Sequence, residues 1–505
     1  MRLTTPLLRA ALPCLLLPAL TAQAPVGLRF DPDHYTLRTA DLDGQTVSYR
    51  AYEGLVYVKS PIDAAHQCLN LYVPAGYYQG QSIGPYNAAS APIFFPNSVG
   101  GYMPSEAGQP GPGRDGHPNA LLAALAHGLV VAAPATRGRT STDPSGRFIG
   151  KAPAAIVDLK AAVRYLRFNA GRFPGNLERI VSNGTSAGGA LSALLGATGN
   201  GIDYEPWLRS AGALEGRDDV FAVSAYCPIT NLDHADQAYE WQFFGLSPRP
   251  DRGFPGPPPG MAPGHSGPPP GTGPGVAPQP PTREQLEASR QLRADFPGYL
   301  NGLGLKGPDG QPLTLGPDGR GPFRDHLAAL LAASAQRALD QGQSLARLSW
   351  IRVRAGKVQR VDLGRFFQAM GRMKPTGAFD GLVSFTPENE LFGTATVPAR
   401  HFTRLGLGYG QPGGALAPAE VVKLMNPMNY LGNRTAVAAR AWRIRHGSND
   451  PHTSLAIPAI LALRLQNTGA KVDFALPWGL GHAGDYDLPE LFAWVDQVCA
   501  PEPGM

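Results

Sequence analysis

Two parts of the chain alternate short apolar runs with apolar residues that recur three and four positions apart. Continuous apolar runs are typical of strands buried in a parallel sheet, and the wider spacing is typical of amphipathic helices. Strands that alternate with helices predict an α/β fold with a doubly wound, mostly parallel sheet. The predicted strands are Cys68–Val73, Ile93–Phe95, Leu129–Ala133, Phe221–Tyr226, Trp442–Arg445 and Lys471–Leu476, and the predicted helices are Ala152–Asn169, Ala187–Leu195, Ser454–Leu465 and Pro489–Val498.

The middle of the chain breaks this alternation. Residues 253–281 are so rich in proline and glycine that they cannot form a packed core, and they predict a disordered surface loop. The same region contains a helical stretch near His326–Ala338 and an aromatic-bearing segment, Phe366–Phe402. We therefore predict a core in two parts, residues 25–230 and 434–505, interrupted by an insertion over residues 231–433.

The first 24 residues have the pattern of an export signal. Arg2 and Arg9 supply positive charge, residues 10–20 are apolar, and Ala22-Gln23-Ala24 is a cleavage pattern. The apolar part is shorter than the roughly 20 residues that a membrane-spanning helix needs. We predict a signal peptide over residues 1–24 and a protein that is exported to the periplasm or the medium.

Charge and cysteine content narrow the partners. The formal net charge of +5 is spread along the 505 residues without a block of lysine and arginine, so neither nucleic-acid nor membrane binding is expected. Export would leave Cys68, Cys227 and Cys499 in the mature chain. This odd number leaves at least one thiol unpaired, and the spacing does not say whether the other two form a disulfide.

Residues Gly184-Thr185-Ser186-Ala187-Gly188 form a G-x-S-x-G sequence. They follow a short apolar run and precede a helical stretch of small residues, which is the strand–turn–helix context of a nucleophile elbow. In such a turn the serine backbone is strained, and small flanking residues let strand and helix approach closely. A chance match is common in a chain with 62 glycines, but this context favours a serine hydrolase with Ser186 as its nucleophile.

A serine hydroxyl is a weak nucleophile, so it needs a base, and the base needs an orienting acid. In α/β-hydrolases the chain order is serine, acid, histidine, and the histidine lies on a loop after the last strand. Among the 11 histidines, His482 is the one that follows the last predicted strand. Glycines on both sides leave its ring free to be aimed, and we predict that His482 is the base.

Asp450 is the favoured acid because it follows the predicted strand before the last one. Asp233 is the competing candidate, since some hydrolases recruit the acid after the preceding strand. Asp485 and Asp487 lie too close to the base in sequence to be obvious orienters, and His446 is expected to be structural.

These residues sharpen the fold prediction to an α/β-hydrolase. The doubly wound, mostly parallel sheet would carry a large inserted lid domain, because α/β-hydrolases commonly carry a lid after the sixth strand. The oxyanion hole needs two backbone N–H groups. Ala187 supplies one, and the second is expected from Gly100 or Gly101, where no side chain obstructs the approach of a substrate.

With these residues assembled, the chain resembles the bacterial tannases, or tannin acyl hydrolases, from about Tyr49 to the C-terminus. The resemblance implies an α/β-hydrolase with an inserted lid that hydrolyses galloyl esters, with a triad matching Ser186, Asp450 and His482. The segments that carry it are Ala91–Met103, Gly150–Leu166, Ser182–Asn200, Ala222–Trp241, Arg443–Ala456 and Trp478–Trp494.

The resemblance also implies substrate-binding residues. A lysine and a glutamate of the lid grip the galloyl hydroxyls in this family, and by position they match Lys374 and Glu388. A cation and a carboxylate suit a trihydroxyphenyl ring because both form directional hydrogen bonds with hydroxyls. One position departs from the family: a second aspartate, two residues past the catalytic one, is His452 here. Neutral imidazole accepts one hydrogen bond but brings no fixed negative charge.

Three functions remain open at this point. The favoured one is a serine esterase that acts on galloyl esters, with a small phenolic ester as substrate. The second, motivated by His452, is an esterase for other phenolic acids such as hydroxycinnamates. The third is a non-catalytic binding protein on a hydrolase fold. No cofactor is expected, no metal-ligand spacing motif occurs, and the oligomeric state is left open.

Overall fold

A computed structural model describes residues 27–42, 44–113, 116–246, 281–410 and 414–500. The predicted signal peptide, residues 1–24, lies outside the described residues. The predicted disordered loop, residues 253–281, also lies outside them except for Pro281.

A nine-stranded sheet forms the centre of the fold. In chain order its strands are β1 (Thr36–Leu42), β2 (Gln45–Val56), β3 (Cys68–Pro74), β4 (Pro92–Pro96), β5 (Val130–Pro134), β6 (Asn176–Thr185), β7 (Ala222–Tyr226), β10 (Ala441–Arg445) and β11 (Lys471–Ala475); β8 (Ile351–Arg354) and β9 (Lys357–Val361) form a separate antiparallel hairpin. The order across the sheet is β1-β2-β3-β5-β4-β6-β7-β10-β11.

The sheet is mostly parallel, which confirms the predicted fold class. Strands β5, β4, β6, β7, β10 and β11 pair in parallel, and β1, β2 and β3 form an antiparallel edge. All six predicted strands are present. Strands β1 and β2 were not predicted because much of β1 and the start of β2 are exposed, so neither has the continuous apolar run of a buried parallel strand.

Helices connect successive parallel strands of the sheet. Helix α3 packs on β6 and β7 and contacts α2, and α12 packs on β11. The core helices are α1 (Ala120–Ala126), α2 (Ala154–Phe168), α3 (Ala187–Ala197), α4 (Glu205–Ser210), α12 (Ala456–Asn467) and α13 (Leu488–Cys499). None of the described helices combines the length and apolar character that crossing a bilayer requires.

The chain between β7 and β10 lies outside the main sheet and is largely helical. Its helices are α5 (Leu232–Phe243), α6 (Arg283–Gly302), α7 (Pro322–Asp340), α8 (Leu363–Met370), α9 (Pro387–Leu391), α10 (Arg404–Tyr409) and α11 (Ala419–Leu424). Helix α5 contacts α6 and α8 of the inserted part and α12 of the core, so it joins the inserted part to the core. The predicted helical stretch near His326–Ala338 is the middle of α7.

Candidate active site

Ser186 lies at a sharp turn between β6 and α3. Its φ of +61° and ψ of −120° form a conformation that L residues rarely adopt. A Cβ on Gly184 would lie 2.4 Å from the carbonyl oxygen of Gly188, and a Cβ on Gly188 would lie 2.7 Å from Oδ1 of Asn97. Glycine at 184 therefore allows β6 and α3 to approach, and glycine at 188 leaves room for the loop after β4 beside the turn.

The loops after β10 and β11 lie side by side. Asp450 is in the first loop and His482 is in the second. Two backbone hydrogen bonds of 2.9 Å join the loops, and a Cβ on Gly447 would lie 2.3 Å from the carbonyl oxygen of Leu480. A glycine at position 447 thus permits the close approach of the two loops.

His482 bridges the serine and the aspartate. Its Nε2 lies 2.8 Å from Oγ of Ser186, and its Nδ1 lies 2.8 Å from Oδ2 of Asp450. The carboxylate is fully buried, and its other oxygen accepts the backbone N–H of His452 at 2.9 Å. A carboxylate at Nδ1 fixes the ring so that Nε2 can accept the serine proton.

The charges around His482 favour its protonated form. Burial by itself would lower the pKa of His482, but the Asp450 carboxylate outweighs burial and raises this pKa well above the ordinary 6.5. Burial by itself would raise the pKa of Asp450, but His482 and His446 hold it well below the ordinary 3.8. The pair is thus arranged to accept positive charge on the imidazole when the serine loses its proton.

The other candidate acids have different partners. Asp233 lies in α5 and accepts a hydrogen bond of 2.7 Å from a side-chain amide of the inserted part. Asp485 accepts one of 2.9 Å from Asn183, and Asp487 forms an ion pair with Arg443. The structure therefore brings the favoured acid to the base and places these three aspartates in other contacts.

The loop after β4 passes beside the elbow. Nδ2 of Asn97 donates to the carbonyl oxygen of Gly188 at 3.1 Å, which ties this loop to the start of α3. Gly101 has a φ of +53°, and a Cβ on either Gly100 or Gly101 would meet open space. Ala187 is the first residue of α3, so its N–H has no acceptor within the helix. These backbone groups are the candidates for holding an oxyanion.

The inserted part brings Lys374 and Glu388 into the same electrostatic environment as the triad. Nζ of Lys374 lies 3.9 Å from the ring centroid of Phe379. Burial lowers the pKa of Lys374, and the carboxylates of Glu388, Asp236 and Asp450 oppose that shift. Burial raises the pKa of Glu388, and Lys374 opposes it. A half-buried cation and a buried carboxylate therefore act on each other close to the triad acid.

His452 lies flat against the candidate base. The ring centroids of His452 and His482 are 4.4 Å apart, and the planes differ by 21°. The His452 ring therefore covers one face of His482. It also lies next to Asp450, because the backbone N–H of His452 donates to a carboxylate oxygen of Asp450. The resemblance placed His452 in the substrate site, and the structure places it against the triad itself.

Tyr239 connects the inserted part to the triad, and sequence analysis missed it. It is fully buried in α5, and its hydroxyl accepts the backbone N–H groups of Met373 and Lys374 at 3.2 and 2.8 Å. The same hydroxyl donates to the carbonyl oxygen of Pro451 at 3.2 Å. A tyrosine on an apolar helix face gives no sequence signal for such a role, because its partners lie more than 100 residues away along the chain.

A family model and several solved structures are similar to this chain. A family model described as BD-FAE, an α/β-hydrolase family, matches residues 137–242. Curated protein sequences contain no match. The crystal structure of Fusobacterium nucleatum tannase is similar over 94% of this chain and 99% of its own, with 46% identity and a TM-score of 0.87. The native tannin acyl hydrolase from Lactobacillus plantarum covers the same shares with 44% identity and a TM-score of 0.85.

A further solved structure is a tannin acyl hydrolase in complex with ethyl gallate, with 44% identity and a TM-score of 0.84 over 94% of this chain and 99% of its own. Identity at this level over nearly the whole of both chains is a relationship between proteins rather than a shared fold alone. This chain belongs to the bacterial tannases, the tannin acyl hydrolases, and is built as they are on the α/β-hydrolase fold.

Proposed function

We propose that this carboxylic ester hydrolase cleaves galloyl esters with Ser186 as nucleophile, His482 as general base and acid, and Asp450 as orienting acid. The observation that carries the proposal is the continuous relay of two 2.8 Å contacts from the Ser186 hydroxyl through His482 to the buried Asp450 carboxylate. Membership of the tannase family, with a relative solved in complex with ethyl gallate, supports the choice of ester.

The reaction proceeds through an acyl-enzyme. Nε2 of His482 removes the proton from Oγ of Ser186 as that oxygen attacks the ester carbonyl. The carbonyl oxygen gains negative charge and is held by the N–H groups of Ala187 and of Gly100 or Gly101, a contact worth about 3 kcal/mol per donor in other hydrolases. The imidazolium then protonates the departing alcohol oxygen, which leaves a galloyl ester on Ser186.

Water completes the cycle. His482 takes a proton from the water that attacks the acyl carbonyl, and it returns that proton to Oγ of Ser186 when gallic acid leaves. The Asp450 carboxylate stabilises the imidazolium in both halves, which is the physical meaning of the raised His482 pKa. Each step uses groups of the chain, the ester and water.

Lys374 and Glu388 are proposed to bind the hydroxyls of the galloyl ring. The ammonium donates hydrogen bonds and the carboxylate accepts them, and burial strengthens both because little water competes. Each group keeps its charge partly through the other, since each opposes the pKa shift that burial imposes on its partner.

His452 favours a second candidate substrate class, the esters of other phenolic acids. A stacked imidazole offers an aromatic edge where a carboxylate would accept a galloyl hydroxyl, so it gives gallate less advantage over a methoxylated ring. Replacing His452→Asp is expected to raise kcat/KM for methyl gallate relative to methyl ferulate by roughly 10- to 100-fold, the worth of a hydrogen bond to a charged group. An unchanged ratio would remove His452 from the substrate site.

The decisive experiment measures acid release from methyl gallate and methyl ferulate by the mature protein and by Ser186→Ala. We expect faster turnover of the gallate ester and a loss of about 10⁶-fold in kcat in the variant, as in other serine hydrolases. Ser224→Ala is the matched control, because Ser224 is a buried serine whose hydroxyl has no hydrogen-bond partner among the described residues.

Three other results would change the conclusion. Faster turnover of methyl ferulate would keep the triad but move the substrate to hydroxycinnamate esters. Full activity in Ser186→Ala would refute Ser186 as the nucleophile. No turnover of either ester, together with no labelling of Ser186 by a fluorophosphonate in the wild-type protein, would favour the non-catalytic alternative.

Export is a separate proposal, supported by the charged, apolar and cleavage segments of residues 1–24. N-terminal sequencing of the protein recovered from the periplasm and from the medium tests it. A mature N-terminus close to Pro25 is expected, and an intact Met1 in a protein confined to the cytoplasm would contradict it.

A further inference from the structure

The thiol of Cys227 lies beside the triad and has no part in the proposed reaction. Cys227 directly follows β7 and is buried, and its N–H donates to the carbonyl oxygen of Arg445 at 2.6 Å. Its Sγ lies 3.3 Å from the carbonyl oxygen of Ala483, the residue after His482. The sulfur is thus held between the strand ends that carry the base and the acid.

Three different metal-binding atoms meet at this point. Sγ of Cys227, a carboxylate oxygen of Asp450 and a ring nitrogen of His482 all lie within 4.8 Å of one another. Zinc binds sulfur at about 2.3 Å and nitrogen or oxygen at about 2.0–2.2 Å, so two ligands of a tetrahedral ion lie roughly 3.3–3.6 Å apart. Coordination therefore requires the 2.8 Å contact between His482 and Asp450 to open and the wider gaps to close.

A fourth group faces the same carboxylate. Nδ1 of His446 is buried, lies 3.6 Å from Oδ2 of Asp450, and has no hydrogen-bond partner within the described part of the chain. The proposed reaction moves no proton through this nitrogen.

We propose that Cys227, Asp450 and His482 form an inhibitory site for a thiophilic divalent cation such as Zn²⁺ or Cd²⁺, with His446 as a supporting group. Binding displaces the thiol proton of Cys227, and any proton on the coordinating nitrogen of His482, to the solvent, and no electron is transferred. The cation enters beside His482, 11% of whose side chain is exposed. Inhibition rests on the proposed role of His482 as the base, whereas binding itself does not.

The inhibition has a simple physical cause. A cation on the imidazole or on the Asp450 carboxylate prevents the ring from taking and stabilising the serine proton, so the acylation step stops. Sulfur and imidazole together select zinc and cadmium over magnesium and calcium, which prefer oxygen ligands. Mg²⁺ and Ca²⁺ are therefore expected to leave the activity unchanged.

The test uses the full mature protein freed of metal with a chelator and titrated with Cd²⁺. Cadmium bound to a thiolate has an ultraviolet charge-transfer absorption, which reports binding independently of activity. Activity is followed with p-nitrophenyl acetate, because gallate esters chelate cations through their adjacent hydroxyls. We expect the absorption and the loss of activity to rise together to one Cd²⁺ per chain, and we expect EDTA to reverse both.

Variants assign the site. Cys227→Ala should lose the charge-transfer band and resist inhibition by at least about tenfold more Cd²⁺, whereas Cys68→Ala and Cys499→Ala should behave as the wild type. His446→Ala should weaken Cd²⁺ binding by about 10- to 100-fold, as other supporting groups of metal sites do. Cys227→Ser, which keeps the size of the side chain, replaces the alanine variant if that variant does not fold.

Several outcomes would overturn the proposal. One is a charge-transfer band that is lost in Cys68→Ala or Cys499→Ala but kept in Cys227→Ala. Another is equal inhibition of Cys227→Ala and the wild type by Cd²⁺. A third is the absence of the band in the wild type at a Cd²⁺ concentration that inhibits it. A further outcome separates the proposed cation site from the proposed role of His482. If the wild type shows the band, Cys227→Ala lacks it, and Cd²⁺ leaves wild-type activity unchanged, the binding site is supported and His482 is refuted as the base.

Discussion

Removing the hydroxyl of Tyr239 should separate substrate selection from the core chemistry. This hydroxyl is shared by the segment that carries Lys374 and the loop that carries Asp450, through its hydrogen bonds to the backbone of Met373, Lys374 and Pro451. Tyr239→Phe keeps the buried ring and removes only the hydroxyl that makes these three hydrogen bonds. The expected result is a less well held Lys374 with an intact triad.

The magnitude follows from the number of lost partners. Two half-buried N–H groups and one carbonyl oxygen lose the Tyr239 hydroxyl, and each hydrogen bond contributes about 1 kcal/mol net. We therefore expect the free energy of unfolding to fall by about 2–3 kcal/mol. If about half of that free energy holds Lys374 in its binding position, kcat/KM for a galloyl ester falls about tenfold, since 1.4 kcal/mol corresponds to a factor of ten.

The assay compares kcat/KM for methyl gallate with kcat/KM for p-nitrophenyl acetate, which has no ring hydroxyls for Lys374 to bind. The free energy of unfolding of each protein is measured separately with urea. Tyr204→Phe is the matched control. Tyr204 is also fully buried, and its hydroxyl donates to the carbonyl oxygen of Leu424 in the inserted part. It should lose stability without changing the ratio between the two substrates.

An equal fall of both rate constants in Tyr239→Phe would contradict a role in substrate selection, because the hydroxyl would then act on the triad or on folding alone. A change of the substrate ratio in Tyr204→Phe as large as that in Tyr239→Phe would also contradict it, because any loosening of the inserted part would then be sufficient.

Two further perturbations test the triad and its loops. With p-nitrophenyl acetate, wild-type kcat/KM should fall as the pH drops through a midpoint above 6.5, because Asp450 raises the pKa of His482 and the base must be neutral. Asp450→Asn should move this midpoint to lower pH, since burial of His482 then acts without the opposing carboxylate. The same variant should lower kcat by about 10⁴-fold. A wild-type midpoint at or below 6.5 would contradict the raised pKa. Gly447→Ala should reduce activity and the melting temperature, because the new Cβ would lie 2.3 Å from the Leu480 carbonyl oxygen and push the two loops apart. Gly481→Ala is the control, because the nearest atom to a Cβ there is 3.9 Å away. Equal effects of the two substitutions would contradict this steric explanation.

Local patterns in the sequence were enough to predict the class of fold and the turn that carries Ser186. Buried parallel strands need continuous apolar runs, and the sharp turn needs glycine at 184 and 188, so both features are written in neighbouring residues. Chain order also pointed to Asp450 and His482, and the roles of Lys374 and Glu388 were suggested by the family resemblance alone. Their chemical roles remain predictions that the experiments above test.

Only the tertiary structure decided which groups meet. The contact of His482 with Ser186 spans 296 positions of the chain, and that of Tyr239 with Pro451 spans 212. Such contacts depend on the register of parallel strands and on the close approach of loops at one edge of the sheet, which no local pattern records. For the same reason no sequence pattern indicated a role for Cys227. The ends of β7, β10 and β11 bring this buried cysteine to the base and acid of the triad.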